Sequence, residues 1–242
     1  MLVLSLDTTS EWGGAAVFDE ERLLAAALNE GATNRFSVSL FEMAEHALKT
    51  AGIAMRDIGL FAAANGPGSF TGIRVGLAAV QGWSAAFGKP ARGVSVLEAM
   101  VEEAQPAARW AFPLLDARRN EFYLGRFARV DSSAQPQATG FAEAGEGWVI
   151  GLEAAERFLA DFLQNEANGA NLCFIAREQD ARSQTLRNRL EKFAEWVSVP
   201  GTLLPAIARI ALKRQRNAAP GAPLDLDACY IRRPDAEILW RG

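Results

Sequence analysis

Between Gly66 and Gly88 the chain carries one charge, Arg74, and this run limits the possible folds more than any other. It opens with NGPGSFTGIR at residues 65–74, and Ile73, Leu77, Val80, Trp83 and Phe87 then alternate with Gly72, Gly76, Ala78, Ala79, Ala85 and Ala86. The spacing predicts a helix over 69–87, capped by Ser69 or Thr71 and stopped by Gly88 and Pro90. A helix that is apolar nearly all round is buried nearly all round, so it lies between layers. Apolar runs at 58–64 and 91–96 flank it and read as strands. A strand, a glycine-rich turn and a helix N-terminus can bind a phosphate. The spacing fits neither phosphate loop: no lysine occurs between Lys49 and Lys89, and Gly66, Gly68 and Gly72 are one position too long for G-x-G-x-x-G. Gly72 and Gly76 therefore read as packing positions, a shallow groove where a neighbouring helix can approach.

The other runs extend the pattern. Residues 2–6, 13–18 and 22–28 suit a three-strand meander, and 34–51 a helix ended by Gly52. A hairpin is predicted around 116–120, from strands at 111–115 and 121–129, followed by a soft segment at 131–147. Helices at 153–166, 185–195 and 203–217 then alternate with strands at 172–176 and 196–199. A β-rich opening followed by βα units occurs twice, which predicts two similar α/β lobes, 1–100 and 101–242, with helix 203–217 packing back on the first. A single open α/β sheet is the alternative.

The helix at 34–51 has two apolar stripes, Phe36, Leu40, Met43 and Ala47 beside Phe41, Ala44 and Leu48. Together they span on the order of 160°, more than the roughly 100° needed to cover a core. Either the helix is wedged inside its own lobe or one stripe meets a partner. Because methionine adapts to different surfaces, the first stripe is expected at the interface, and Phe41 and Leu48 in the core. The expected interface is then Phe36, Leu40, Met43 and Ala47 with Gly72, Ile73, Gly76 and Val80.

Chemistry-bearing residues are few. Asp7-Thr8-Thr9-Ser10 ends the first strand, where an aspartate can hold Mg²⁺ through water and hydroxyls can meet a phosphate; a plain Asx or Ser/Thr turn fits equally. Asp116, in LLDARRNEFY, holds the matching place in the second lobe, and with Asp7, Thr8 and Thr9 it makes a weak nucleotide site. Arg118 stands where a glycine would let the backbone approach phosphates. The single histidine, His46, rules out a histidine-pair metal site within the chain and reads as a surface residue. Cys173 and Cys229 lie 56 positions apart and read as buried thiols rather than a disulfide framework. With 25 basic and 29 acidic residues the chain is a poor match for nucleic acid alone. Without a membrane-length apolar run or a leader pattern, a cytoplasmic protein is expected.

The opening LSLDTTS, the block NGPGSFTGIRVGLAAVQGWSAAFGKPARGVSVLEAM, the hairpin LLDARRNEFY and the tail ACYIRRPDAE resemble the TsaB (YeaZ) family. The resemblance covers the whole chain, weakest over 131–217. It implies the duplicated lobe pair of sugar kinases and actin, a ribonuclease H-like α/β fold. It also implies a scaffold role in forming N6-threonylcarbamoyladenosine beside the anticodon of tRNAs reading codons that begin with A. In that family a paralogue, TsaD, carries the metal-binding histidine pair and catalyses transfer, and the ATPase TsaE docks on the pair. The chain is then expected to pair with TsaD, or with itself when alone, to meet tRNA only through the complex, and to be non-catalytic, without a membrane role or tightly bound metal or cofactor. Weak ATP or ADP binding within the complex is compatible with this. Asn34-Arg35 departs from the family, whose members often show His-Ser there. A small-molecule kinase or ATPase using Asp7, Thr8, Thr9 and Asp116 is the rival; a metallopeptidase lacks a metal pair and a nucleophile–base pair.

Overall fold

A computed structural model describes residues 1–29, 36–130, 140–165, 169–180, 186–189, 191, 194–219 and 226–231. Asn34-Arg35, much of the soft segment and Arg232-Arg233 lie outside these residues. The chain divides into two units, Met1–Ala99 with Thr202–Tyr230, and Met100–Gly201 with the chain from Ile231.

In the first unit, β1 (Leu2–Asp7), β2 (Gly14–Asp19) and β3 (Arg22–Leu28) form the antiparallel meander, and β4 (Leu60–Gly66) and β5 (Ala91–Ser95) extend it in parallel. The order is β3-β2-β1-β4-β5. Helices α1 (Phe36–Ala51) and α2 (Phe70–Phe87) cover one face, where Leu4, Leu6, Phe61 and Ala63 join one apolar core. Strand alternation turns Val3, Ser5, Ala62 and Ala64 to the other face. There the last described helix, Leu204–Asn217, is fixed by Ser5 Oγ donating to the Leu204 carbonyl at 3.0 Å. Its Arg214 donates to the Gly93 carbonyl at 2.7 Å and to Glu98 at 2.5 Å. A sheet covered on both faces explains why these strands are nearly continuous apolar runs.

Ser69 is the N-cap of α2, its hydroxyl accepting from the Gly72 amide at 3.2 Å, and Gly88 closes the helix with a left-handed φ of 62°. The Gly66–Pro67 peptide is cis. A helix that the sequence expectations lacked, α3 (Val96–Ala104), follows β5 directly. Ser95 three places before Glu98 is the capping-box pattern that would have marked it.

The second unit is built on β6 (Trp110–Asp116), β7 (Glu121–Leu124), β8 (Phe127–Arg129), β9 (Phe141–Glu143), β10 (Trp148–Gly151), β11 (Leu172–Arg177) and β12 (Glu195–Val199). The sheet runs β10-β7-β6-β11-β12, with β8 also on β6 and β9 on β8. The single strand expected over 121–129 breaks into β7 and β8 because Pro113, opposite the break, has no amide hydrogen for the ladder. Helix α4 (Leu152–Asn165) closes the core of Phe112, Phe122, Phe162 and Phe174. Of the helix expected over 185–195, residues 186–189 are helical, while Glu195 already belongs to β12. The helix Leu204–Asn217 is α5 below. Among the described residues no helix is long and apolar enough to cross a membrane.

Candidate functional site

The turn after β1 fits against the start of α2. Asp7 is fully buried, and its Oδ1 accepts from the Thr9 amide at 2.9 Å and the Thr9 hydroxyl at 2.6 Å. Thr8 Oγ1 donates to the Gly72 carbonyl at 2.6 Å, and the Ser69 amide donates to the Thr9 carbonyl at 2.8 Å. A methyl group on Gly72 would stand 1.8 Å from the Thr8 carbonyl oxygen, and one on Gly76 2.5 Å from Thr8 Oγ1. The two glycines therefore make room for a turn of their own lobe. The expected groove for a neighbouring helix at Gly72 and Gly76 is corrected: Thr8 fills it.

Asp7, Thr8 and Thr9 form an Asx-type turn, its carboxylate and hydroxyls engaged within the unit. Asp116 belongs to the second unit, where its Oδ1 accepts from the Arg118 amide at 2.7 Å. Arg118, Arg119 and Asn120 all have left-handed φ, 64°, 54° and 59°, a conformation costing non-glycine residues about 1–2 kcal/mol each. Among the described residues no group of three or more His, Cys, Asp or Glu side chains is arranged to hold a metal ion. His46 is exposed, as expected of a surface histidine. Cys173 is buried, and burial together with the nearby Glu195 charge pushes its thiol up to about 12, against a lowering contact from the Val197 backbone. Cys229 is half-buried.

The structure also corrects the choice of stripe. Phe36, Leu40, Ala47, Gly72, Ile73, Gly76 and Val80 are buried in the first unit, with Met43 packed partly against its core, so none of the seven offers exposed surface to another chain. Ala44 and Leu48 are buried as expected, but Phe41 points outward at 56% exposure and Val38 at 72%. Phe41 stands edge-on to Trp83 of α2, centroids 5.8 Å apart, and Phe87 lies exposed at the helix end. The outward face of α2 carries Ala78, Gly82 and Ala85. Val38, Phe41, Trp83 and Phe87 thus form an apolar cluster across α1 and α2 that the sequence expectations missed. The width of the α1 stripe was the signal for a second face; the side chains on it were misassigned.

Fold and site together define a two-sheet α/β protein with a self-filled glycine corner and an apolar helical face. A family model described as TsaD, tRNA N6-adenosine threonylcarbamoyltransferase, matches residues 29–219. The Escherichia coli tRNA threonylcarbamoyladenosine biosynthesis protein TsaB is 30% identical over 134 residues, covering 54% of this chain and 57% of that protein. The Bacillus subtilis protein of the same name is 30% identical over 129 residues, 52% of this chain and 55% of that one. The chain thus spans a little over half the length of the curated relatives it matches. A Pseudomonas aeruginosa crystal structure, described as an uncharacterized protein with similarity to peptidase YeaZ, shares the fold with a TM-score of 0.67 at 22% identity, covering 96% of this chain and 99% of that one. The chain belongs to the family described by the TsaD model, and over about half its length it is similar to the TsaB proteins.

Proposed function

We propose that this chain is the non-catalytic subunit of the complex that forms N6-threonylcarbamoyladenosine in tRNA, and that it pairs with TsaD through the outward face of α1 and α2. The observation that carries this reading is the apolar cluster of exposed Val38, Phe41 and Phe87 with the half-buried Trp83. Contiguous apolar surface on a soluble lobe marks an interaction site, and helices with such faces associate as bundles. One histidine leaves the chain without the histidine pair that TsaD supplies, so the metal-dependent transfer belongs to the partner. With a net charge of −4, the chain meets tRNA through the complex. TsaE is the further partner, the compartment is the cytoplasm, and a second copy of the chain takes the TsaD position when TsaD is absent.

The test is co-purification and sedimentation of the full chain with TsaD from the same cell, against Phe41→Asp. An unpaired carboxylate in a buried interface costs several kcal/mol, so the variant should lose at least about 100-fold in affinity. Its melting temperature should stay within about 2 °C of wild type, because Phe41 is exposed in the isolated chain. Wild-type pairing by Phe41→Asp, or threonylcarbamoyl transfer by the chain without TsaD, overturns the proposal.

A further inference from the structure

Residues 226–230 cross the glycine-rich corner and end beside the one charge of α2. The Cys229 amide donates to the Asn65 carbonyl at 2.8 Å, and Asn65 Nδ2 donates to the Asp227 carbonyl at 2.8 Å. Gly66 lies beneath with φ 114°, and a methyl group there would be 2.5 Å from the Cys229 carbonyl oxygen. Leu226 and Ala228 rest on the first unit's core. This strap is fixed on both sides of Cys229, and it delivers Tyr230 to α2.

The Tyr230 ring lies 5.3 Å from Phe70, centroid to centroid. Arg74 stands with its guanidinium carbon 3.8 Å over the Phe70 ring, and its Nε donates to the Tyr230 hydroxyl at 3.2 Å. Stacking on one ring and bonding through Nε fix the plane of the guanidinium. Among the described residues its two Nη nitrogens have no hydrogen-bond partner, and Arg74 is exposed. The other outward positions of α2, including Thr71, Ala78, Gln81 and Ala85, are uncharged. The helix thus presents one pre-aimed fork on a face that otherwise suits apolar contact.

We propose that Arg74, positioned by Phe70 and Tyr230, is a recognition site for a carboxylate on the partner that covers α1 and α2. Charge complementarity selects that occupant. A purely apolar surface closing over this face would bury an unpaired guanidinium at a cost of several kcal/mol, whereas an Asp or Glu meets both Nη donors in the bidentate geometry arginine favours. Tyr230 is a positioning residue here, holding Nε so that the Nη pair points outward. The inference rests on the pairing reading above and names the chemistry by which the partner is recognised.

Sedimentation or calorimetry with TsaD, using the full chain and the variants Arg74→Ala, Arg74→Lys, Tyr230→Phe and Phe41→Asp, tests it. Arg74→Ala should weaken pairing about 10- to 100-fold, as for a lost charge-assisted hydrogen-bond pair, and should flatten the salt dependence of the dissociation constant. Arg74→Lys should recover under a tenth of the loss, because an ammonium lacks the fork. Tyr230→Phe should weaken pairing about threefold with an unchanged melting temperature, since one hydrogen bond is lost at an exposed hydroxyl. Arg74→Ala pairing within threefold of wild type, or with an unaltered salt slope, overturns the carboxylate site. If Phe41→Asp abolishes pairing while Arg74→Ala does not, only this inference falls. If wild type fails to pair, the pairing reading falls and takes this one with it.

Discussion

The seating of Thr8 on α2 makes two alanine substitutions in one helix act in opposite directions. At Gly72 the added methyl would lie 1.8 Å from the Thr8 carbonyl oxygen, against an ordinary contact of 3.4–4 Å, so turn and helix must separate by more than 1 Å. That movement stretches the 2.6 Å bond from Thr8 Oγ1 to the Gly72 carbonyl. Overpacking of this kind costs about 1–3 kcal/mol, and a buried hydrogen bond left unmade about 1–3 more. The better helix propensity of alanine returns about 1 kcal/mol, for a net loss of about 1–5 kcal/mol. At roughly 2–4 °C per kcal/mol for a chain of this size, Gly72→Ala should melt about 2–20 °C below wild type. A methyl on Gly82 meets nothing within 4 Å, so Gly82→Ala keeps only the propensity term and should melt about 2–4 °C above wild type. Thermal melts followed by circular dichroism at 222 nm, with urea titrations for the free energies, give both values. Gly72→Ala melting at or above wild type would refute the packing of Thr8 against α2. A cycle of Thr8→Ala with Gly76→Ala extends the test: the Gly76 methyl would press on Thr8 Oγ1 at 2.5 Å, so removing that hydroxyl should recover at least about 1 kcal/mol of the Gly76→Ala cost.

Cys173 is pushed up to about 12, above the ordinary thiol, so folding favours its protonated form. The stability this contributes is complete below the unfolded thiol's pKa near 8.5 and is lost as pH rises toward the folded value; Cys173→Ala should therefore lose stability less steeply between about pH 9 and 11, by up to about 1.4 kcal/mol per pH unit, in urea titrations. Equal slopes for the two proteins would contradict it. Glu98→Ala removes the carboxylate that Arg214 holds at 2.5 Å and should cost about 1–3 kcal/mol, with Glu98→Gln losing roughly half as much. Melts of Glu98→Ala within about 0.3 kcal/mol of wild type would show that the pair does not fix α5.

The first lobe was legible because each of its strands is an apolar run ended by its own turn residues, and α2 because caps and composition agree at both ends. Periodicity placed two stripes on α1 without ranking them. Both are apolar, and the methionine that argued for the first stripe sits partly inside the core while Phe41 faces out. The place of Gly72 and Gly76 depends on Thr8, a contact across more than sixty residues that no local window contains. Asp7 was recognised as either a ligand or a turn former, and its two contacts with Thr9 show the turn. α3 was missed because β5 passes into it without a glycine or proline, and the break opposite Pro113 was missed because the residue responsible lies on the neighbouring strand. Tyr230, far along the chain from Arg74, carried no local sign that it would meet the glycine-rich corner.

The first unit is completed by residues made long after most of it. Its sheet exposes Val3, Ser5, Ala62 and Ala64 on the side that α5 covers, and α5 emerges from the ribosome only after Met100–Gly201. At translation rates of about 5–20 residues per second, the opening half waits roughly 5–20 s with one apolar face uncovered. During that interval the second unit can form its own core from contiguous chain while the first stays open to chaperones or to a neighbouring nascent chain. A premature stop before Thr202 would therefore damage the half of the protein translated first and spare most of the half translated last.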